Sequence, residues 1–461
     1  MITVTPDLLE RHDRPGPRYT SYPTAVEFHP AVGPAEYAER LAEASSRPAD
    51  ALSLYVHLPF CEARCSFCAC HVVVTRHPEV AEAYLGRVVA EAGIVAGRLG
   101  DRRRLVQYHW GGGTPTHHPS EALAALHRSL LGSFELDADA EVAVEVDPRV
   151  TTRAHLETLA ELGFNRLSLG VQDLDEGVQE LIGRHQTAEQ TEELYRQARD
   201  LGFGSVNLDL IYGLPGQDEA GLAATLDEVV RLRPDRLAVY SFAWVPWMRP
   251  HQRRMDERAL PDRATKFALL ALLVEALSAA GYQRVGMDHF ALPDDELARA
   301  ARDGTLTRNF MGYTTKRGTE VVAFGTSGIS DVAGAYAQNH RRLASYYGSV
   351  DRGELPVERG YVLTADDRLR RHVITELMCN GSVSAADVAG RFGVAFADVF
   401  ARELAELTAP GGLVDEGIAQ VDGSGVRATE LGRLFVRRLA AVFDDHARRR
   451  SGDGPVFSQS I

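Results

Sequence analysis

The sequence predicts an α/β fold, a partial (β/α)6 barrel with an N-terminal arm and a mostly α-helical C-terminal domain. Three observations carry that expectation. Short β-branched runs alternate with longer segments of helical apolar spacing from about residue 50 to 290, the signature of βα units on a parallel sheet. Polar and glycine-rich features gather at the C-terminal ends of the strand candidates, the end where a barrel keeps its chemistry. After about residue 355 the alternation gives way to helices.

Taken in order, residues 1–48 read as an arm, rich in Pro and Tyr from Pro15 to Pro23, followed by a helix near 35–45. Residues 49–355 read as the barrel. Its strand candidates are 52–57, 105–110, 141–147, 166–171, 205–212 and 236–242, with helices expected at 79–97, 120–131, 152–162, 187–201, 218–232 and 263–280. Residues 356–461 read as a helical domain with one β-like stretch, 412–427.

The chain has 461 residues, 45% of them hydrophobic and 25% charged, which is enough apolar material for a sizeable core. A formal charge of −14 argues against nucleic acid and anionic membrane as partners. The opening Met1-Ile2-Thr3-Val4-Thr5-Pro6-Asp7 lacks a basic start leading into an apolar run, and no stretch of roughly 20 apolar residues occurs. A soluble, cytoplasmic protein is therefore expected, acting as a monomer. Four of the five cysteines, Cys61, Cys65, Cys68 and Cys70, fall within ten residues, a clustering that favours a metal over a disulfide framework. Cys379 stands alone and reads as a buried small hydrophobe.

Cys61-x3-Cys65-x2-Cys68 offers three thiolates on one loop. A [4Fe–4S] cluster takes four ligands, so one iron would keep an open position for a chelating ligand. Structural zinc more often uses two separated ligand pairs, yet Cys70 or His71 would complete a compact zinc site, so both metals stay open on spacing alone. Gly111-Gly112-Gly113 follows Trp110 at a strand end, where bare backbone lets a ligand approach. Glu145 and Asp147 end the next strand and suit hydroxyl or ammonium groups, or act as caps and ion-pair partners.

The segment from Tyr55 through Phe60, Cys61, Cys65, Phe67 and Cys68 to Cys70 resembles the cluster loop of radical S-adenosylmethionine (SAM) enzymes, in particular oxygen-independent coproporphyrinogen III oxidases. The likeness continues through Pro17–Pro23, His109–Thr116, Glu145–Pro148, Asn165–Asp173, Asn207–Pro215, Gly286–Phe290, Arg308–Phe310 and Gly312–Thr315, and it ends at Phe457-Ser458. It implies that Cys61, Cys65 and Cys68 hold one [4Fe–4S] cluster whose open iron a first SAM chelates. Tyr55, Gly112, Glu145 and Ile329 match positions lining that SAM, with Tyr55 and Glu145 implied in catalysis. Phe67, Gly113, Thr114, Gln172, Arg184, Asp209 and Ala243 match positions lining a second SAM. The implied reaction is radical decarboxylation of two propionates of coproporphyrinogen III to vinyl groups, giving protoporphyrinogen IX in haem biosynthesis. The implied reductant is a small electron-transfer protein such as flavodoxin or ferredoxin. Arg18, Tyr19, Tyr22 and Phe310 are candidate contacts for the tetrapyrrole.

The chain departs from the family pattern at Met311, where a Gln is usual, and at Ala69, His71 and Trp244. None of these is an implied cluster ligand. Two other readings compete. The family's haem-chaperone relatives share the three cysteines and the barrel, but typically carry an aromatic residue at the position of Cys70. A winged-helix DNA-binding regulator is suggested by 382–391 followed by the β-like stretch, against the acidic total.

Overall fold

The computed structural model describes residues 5–450 and 457–459. All six expected strands form: β1 (Leu52–Leu58), β2 (Arg104–Gly112), β3 (Glu135–Val146), β4 (Arg166–Gln172), β5 (Ser205–Tyr212) and β6 (Arg236–Ser241). They lie side by side in that order, all parallel, with register such as Tyr55 to His109 and Glu145 to Ser168. The expected helices follow within two residues, among them Pro78–Leu99, Ala188–Asp200 and Arg263–Ala279. Each exists because its apolar positions repeat at helical spacing and a polar residue starts it. Thr187 and Thr152, for instance, close capping boxes at their helices.

The sheet holds more than six strands. A seventh parallel strand, β7 (Glu320–Phe324), pairs with the outer edge of β1, and Ile329–Val332, Ala335–Asn339 and Val357–Val362 continue the sheet antiparallel beyond it. No βα alternation announces them, because they are short, turns join the first three, and the helix Leu343–Asp351 leads to an antiparallel partner. Val357–Val362, just past the boundary expected at 355/356, pairs with Ala335–Asn339 in this sheet, and the helix that Thr364 caps follows it. At the other edge β6 meets His289–Ala291 antiparallel. The hairpin Thr307–Asn309 with Gly312–Thr314 reaches into the barrel, where Asn309 donates to the Gln107 side chain at 3.1 Å.

In the C-terminal domain, Ser382–Ser384, Ala419–Asp422 and Gly425–Ala428 form a three-stranded sheet against short helices, in place of the single β-like stretch. Cys379 is buried, and burial pushes its thiol up to about 12. Among the described residues no helix is long and apolar enough to cross a membrane.

The arm packs on the C-terminal domain. Leu8, Leu9, Tyr19 and Tyr22 join that domain's apolar core; Tyr19 donates to Asp444 at 3.0 Å and the Tyr22 hydroxyl accepts from the Asp445 amide at 3.2 Å. Tyr19 and Tyr22 thus turn away from the barrel, contrary to their expected role as tetrapyrrole contacts. Their rings satisfy an apolar core while their hydroxyls meet its few polar groups.

On the helix side of β2, Trp110 is fully buried, with the ring of Phe164 edge-on at 4.8 Å and Tyr108 at 5.7 Å. This anchor fixes the strand end from which the glycine run departs. Trp110→Ala should cost about 3–5 kcal/mol of stability, read as a lower denaturant midpoint for the metal-free protein.

Candidate active site

The cysteine loop leaves the C-terminal end of β1 and is tied down by backbone bonds on both sides. The Gly113 amide donates to the Leu58 carbonyl at 2.8 Å, Thr114 to Phe60 at 2.9 Å and Val73 to Pro59 at 2.8 Å. Farther along, Ser66 donates to the Ile182 carbonyl at 2.9 Å, and His251 Nε2 donates to the Cys68 carbonyl at 2.9 Å. The loop is therefore held by four separate segments of chain before any ligand is considered.

Cys61, Cys65 and Cys68 line a cavity of about 150 Å³ above the barrel. Its wall also carries Phe67, Gly112, Gly113, Thr114, Glu145, Gln172, Arg184 and Asp209, eight of the expected SAM-lining positions. Burial pushes the Cys61 thiol up to about 11 although Thr114 Oγ1 lies 3.4 Å from its sulfur. The guanidiniums of Arg149 and Arg184 reach Cys65 Sγ at 3.7 and 3.8 Å. Two cations beside a thiol suit a site that must carry an anionic thiolate cluster. Among the described residues no three His, Cys, Asp or Glu side chains converge as one metal ion requires. Cys70 lines the same cavity; its hydrogen bond to Cys68 favours the thiolate there, lowering Cys68 to about 6, and holds Cys70 itself as a thiol.

The glycine run does more than clear a path. A Cβ on Gly111 would stand 2.8 Å from the Glu145 carboxyl, and one on Gly112, at φ +119°, 2.6 Å from the His57 ring. The space left by the absent side chains is filled by Glu145 and His57. Glu145 accepts from His109 Nε2 and from the Gly112 amide, both at 3.2 Å. Burial alone would raise its pKa, but those two donors outweigh it and keep the carboxyl ionised. His57 Nε2 donates to the His71 carbonyl at 3.0 Å, which leaves Nδ1 to accept from the Tyr55 hydroxyl at 3.0 Å. Burial holds that imidazole neutral, with a pKa near about 4.

Arg184 is fixed before use: Nη1 donates to Asp147 Oδ2 at 2.9 Å, and Nη2 donates to the Gly170 carbonyl. Arg149 shares the same carboxylate at 2.7 Å, and the two cations together overcome burial and hold Asp147 below the usual carboxylate range. Asp209 accepts from Asn207 at 2.7 Å and Ser168 at 3.2 Å. Burial first, then the charge of Glu145, raises it to about 7.

Glu145, Ser168 and Asp209 also line a second cavity, of about 110 Å³, that runs down the barrel past His109, Glu141, Asn207, Tyr240 and Met311. The two cavities are thus contiguous through one layer of side chains. Tyr55, Ala243 and Ile329 do not line the cysteine cavity. The Ala243 carbonyl accepts from Gln252, which also reaches the Phe67 carbonyl, and Ile329 packs near Phe310 and Tyr336. Arg18 donates to the Ser241 carbonyl at 2.7 Å and lies over the Tyr240 ring, at the barrel mouth. Phe310 stands edge-on to Tyr336 at 5.8 Å. Sequence reasoning did not single out His109, Arg149 and Ser168. His109 was findable, since it lies opposite Tyr55 on the neighbouring strand and two residues before the glycine run's first member.

The raised pKa of Asp209 has a pH signature. The folded state holds its proton more tightly than the unfolded chain, so its contribution is most favourable below about pH 4 and is lost as pH rises towards about 7. Asp209→Asn should abolish that loss, leaving the metal-free variant about 4 kcal/mol more stable than the parent at pH 8 and little changed at pH 4. Denaturant titrations at the two pH values measure it.

Residues 55–229 match the radical SAM superfamily and residues 363–435 match the HemN C-terminal domain. The oxygen-independent coproporphyrinogen III oxidase of Pseudomonas aeruginosa is 43% identical over 440 residues, covering 95% of each chain. That of Escherichia coli K12 is 42% identical over 448 residues, 96% of each. The solved structure of coproporphyrinogen III oxidase (HemN) from Escherichia coli, described as a radical SAM enzyme, superposes with a TM-score of 0.89 at 42% identity, covering 93% of this chain and 97% of that one. Those identities, the shared architecture and the three-cysteine cavity place this chain in the oxygen-independent coproporphyrinogen III oxidase family of radical SAM enzymes.

Proposed function

We propose that this protein is an oxygen-independent coproporphyrinogen III dehydrogenase, converting two propionates of coproporphyrinogen III to vinyl groups to give protoporphyrinogen IX. It uses one [4Fe–4S] cluster and two SAM molecules. The observation that carries this reading is the single layer of Glu145, Ser168 and Asp209 shared by the cysteine cavity and the barrel interior. It sets a cofactor compartment directly against a chamber for the substrate.

Cys61, Cys65 and Cys68 would hold the cluster, which when bound supplies the electron for reductive cleavage of SAM and so the hydrogen-abstracting chemistry that precedes loss of CO2. The chain's own residues bind and orient. Glu145, kept ionised, accepts from an ammonium or hydroxyl group. Arg184, clamped by Asp147, presents a guanidinium to a carboxylate with its rotamer already set. Asp209, near half-protonation at neutral pH, can accept or donate towards a ribose hydroxyl. Arg18 at the mouth offers a cation to a propionate. The hairpin bonded to Gln107 and the arm above it close the chamber to water. A monomer working in the cytoplasm, with a small electron-transfer protein such as flavodoxin or ferredoxin as reductant, completes the reading.

Anaerobically reconstituted protein with SAM, dithionite and coproporphyrinogen III should yield 5′-deoxyadenosine, CO2 and protoporphyrinogen IX, and Cys65→Ser should yield none of them. A stable haem complex without decarboxylation would favour the chaperone reading instead. Arg184→Ala should raise the SAM concentration for half-maximal rate about tenfold, equivalent to about 1.4 kcal/mol, with the cluster's visible absorbance unchanged.

A further inference from the structure

Six large apolar side chains stand out as exposed among the described residues, and four of them flank the cysteine loop. Val74 is 47% exposed and pairs with Cys61 in a two-residue parallel ladder. Leu181 precedes Ile182, whose carbonyl accepts from Ser66 of the loop. Trp247 and Met248, 43% and 49% exposed, belong to the segment that His251 and Gln252 fasten to the carbonyls of Cys68 and Phe67. A protein spends little apolar surface on solvent without a use, and Trp and Met are residues enriched where proteins meet.

The same face is basic. Arg64 on the loop and Arg249 both act on the charge of Cys68, and Arg341 lies beside His71. Arg253 and Arg254 are exposed on the short helix Pro250–Arg254. Among the described residues none of these five forms an ion pair with a carboxylate, whereas most arginines elsewhere on the chain do. Acids nearby include Glu62 on the loop, Glu180 beside Leu181, Asp256 and Glu257 just after Arg254, of which Asp256 pairs with Arg258, and Glu358, which accepts from the Arg341 backbone amide. Five unpaired cations around one loop contrast with a chain whose formal charge is −14. An acidic partner would be repelled by the surface at large and drawn to this patch.

We infer that the face formed by Val74, Trp247 and Met248 with Arg253, Arg254 and Arg341 is the docking surface for a small acidic one-electron carrier protein that reduces the cluster. This rests on the cluster assignment made above. In the transfer, one electron passes from the reduced carrier to the cluster; the carrier is oxidised by one equivalent, the cluster is reduced by one, and no bond forms or breaks. The apolar residues supply contact area beside the loop, and the arginines supply steering and orientation.

The test uses the reconstituted full-length enzyme and a purified acidic flavodoxin. Arg253→Glu with Arg254→Glu, and separately Trp247→Ala, should each weaken flavodoxin binding about tenfold in a direct titration at low salt. The charge reversal should also flatten the salt dependence of flavodoxin-driven 5′-deoxyadenosine formation. With dithionite as reductant both variants should match the parent, which certifies their fold and cluster. Equal flavodoxin affinity in parent and variants would overturn the docking surface. So would an effect confined to the KM of coproporphyrinogen, which would make the arginines a funnel for an anionic substrate. A parent enzyme inactive with dithionite would instead overturn the cluster assignment itself.

Discussion

The Gly113 and Thr114 amides donate to carbonyls on either side of Pro59, and through these bonds the cysteine loop is carried by the glycine run. Two strand ends are locked in one plane, and everything placed on them inherits a fixed relation. The bonds require backbone to approach backbone, which is why a Cβ on Gly113 would lie 2.5 Å from the Pro59 carbonyl carbon. Glu145 and His57 then occupy the space that Gly111 and Gly112 leave. The cavity is thus shaped by what the strands lack as much as by what they carry.

Charge is distributed around that frame with a division of labour. Carboxylates that keep their charge, Glu145 and Asp147, each have a dedicated donor set; Asp209, deprived of a cation at bonding distance, sits near neutrality. The difference comes from neighbours rather than depth, since burial acts on all three in the same direction. A site that binds zwitterionic and hydroxyl-rich ligands has use for both kinds.

Much of this was legible beforehand. The six parallel strands and their helices follow from period-2 and period-3.6 patterns long enough to be unambiguous, and the three cysteines announce themselves by spacing. β7 and Val357–Val362 were not legible, because a strand of five or six residues is too short to carry a periodic signal, and β7 has no helix after it to mark a βα unit. Tyr19 and Tyr22 misled for a different reason. A tyrosine in a proline-rich arm looks like a ligand contact, and only the tertiary structure shows that the C-terminal domain claims its ring. Ala243 and Ile329 had no chemical signal at all and rested on resemblance alone; they stand off the cysteine cavity, while Ala243 is joined to Phe67 through Gln252.

Arg437 donates to the carbonyls of Gly16, Pro17 and Gln459, and the Gly16 amide donates to Ser458. Segments from opposite ends of the sequence therefore meet at one guanidinium. Arg437, Asp444 and Ser458 all follow the barrel in the sequence, so the seat that they offer the arm exists only once the C-terminal domain has folded. Closure of the barrel mouth is thereby coupled to the fold of a domain that contributes no strand to the barrel sheet.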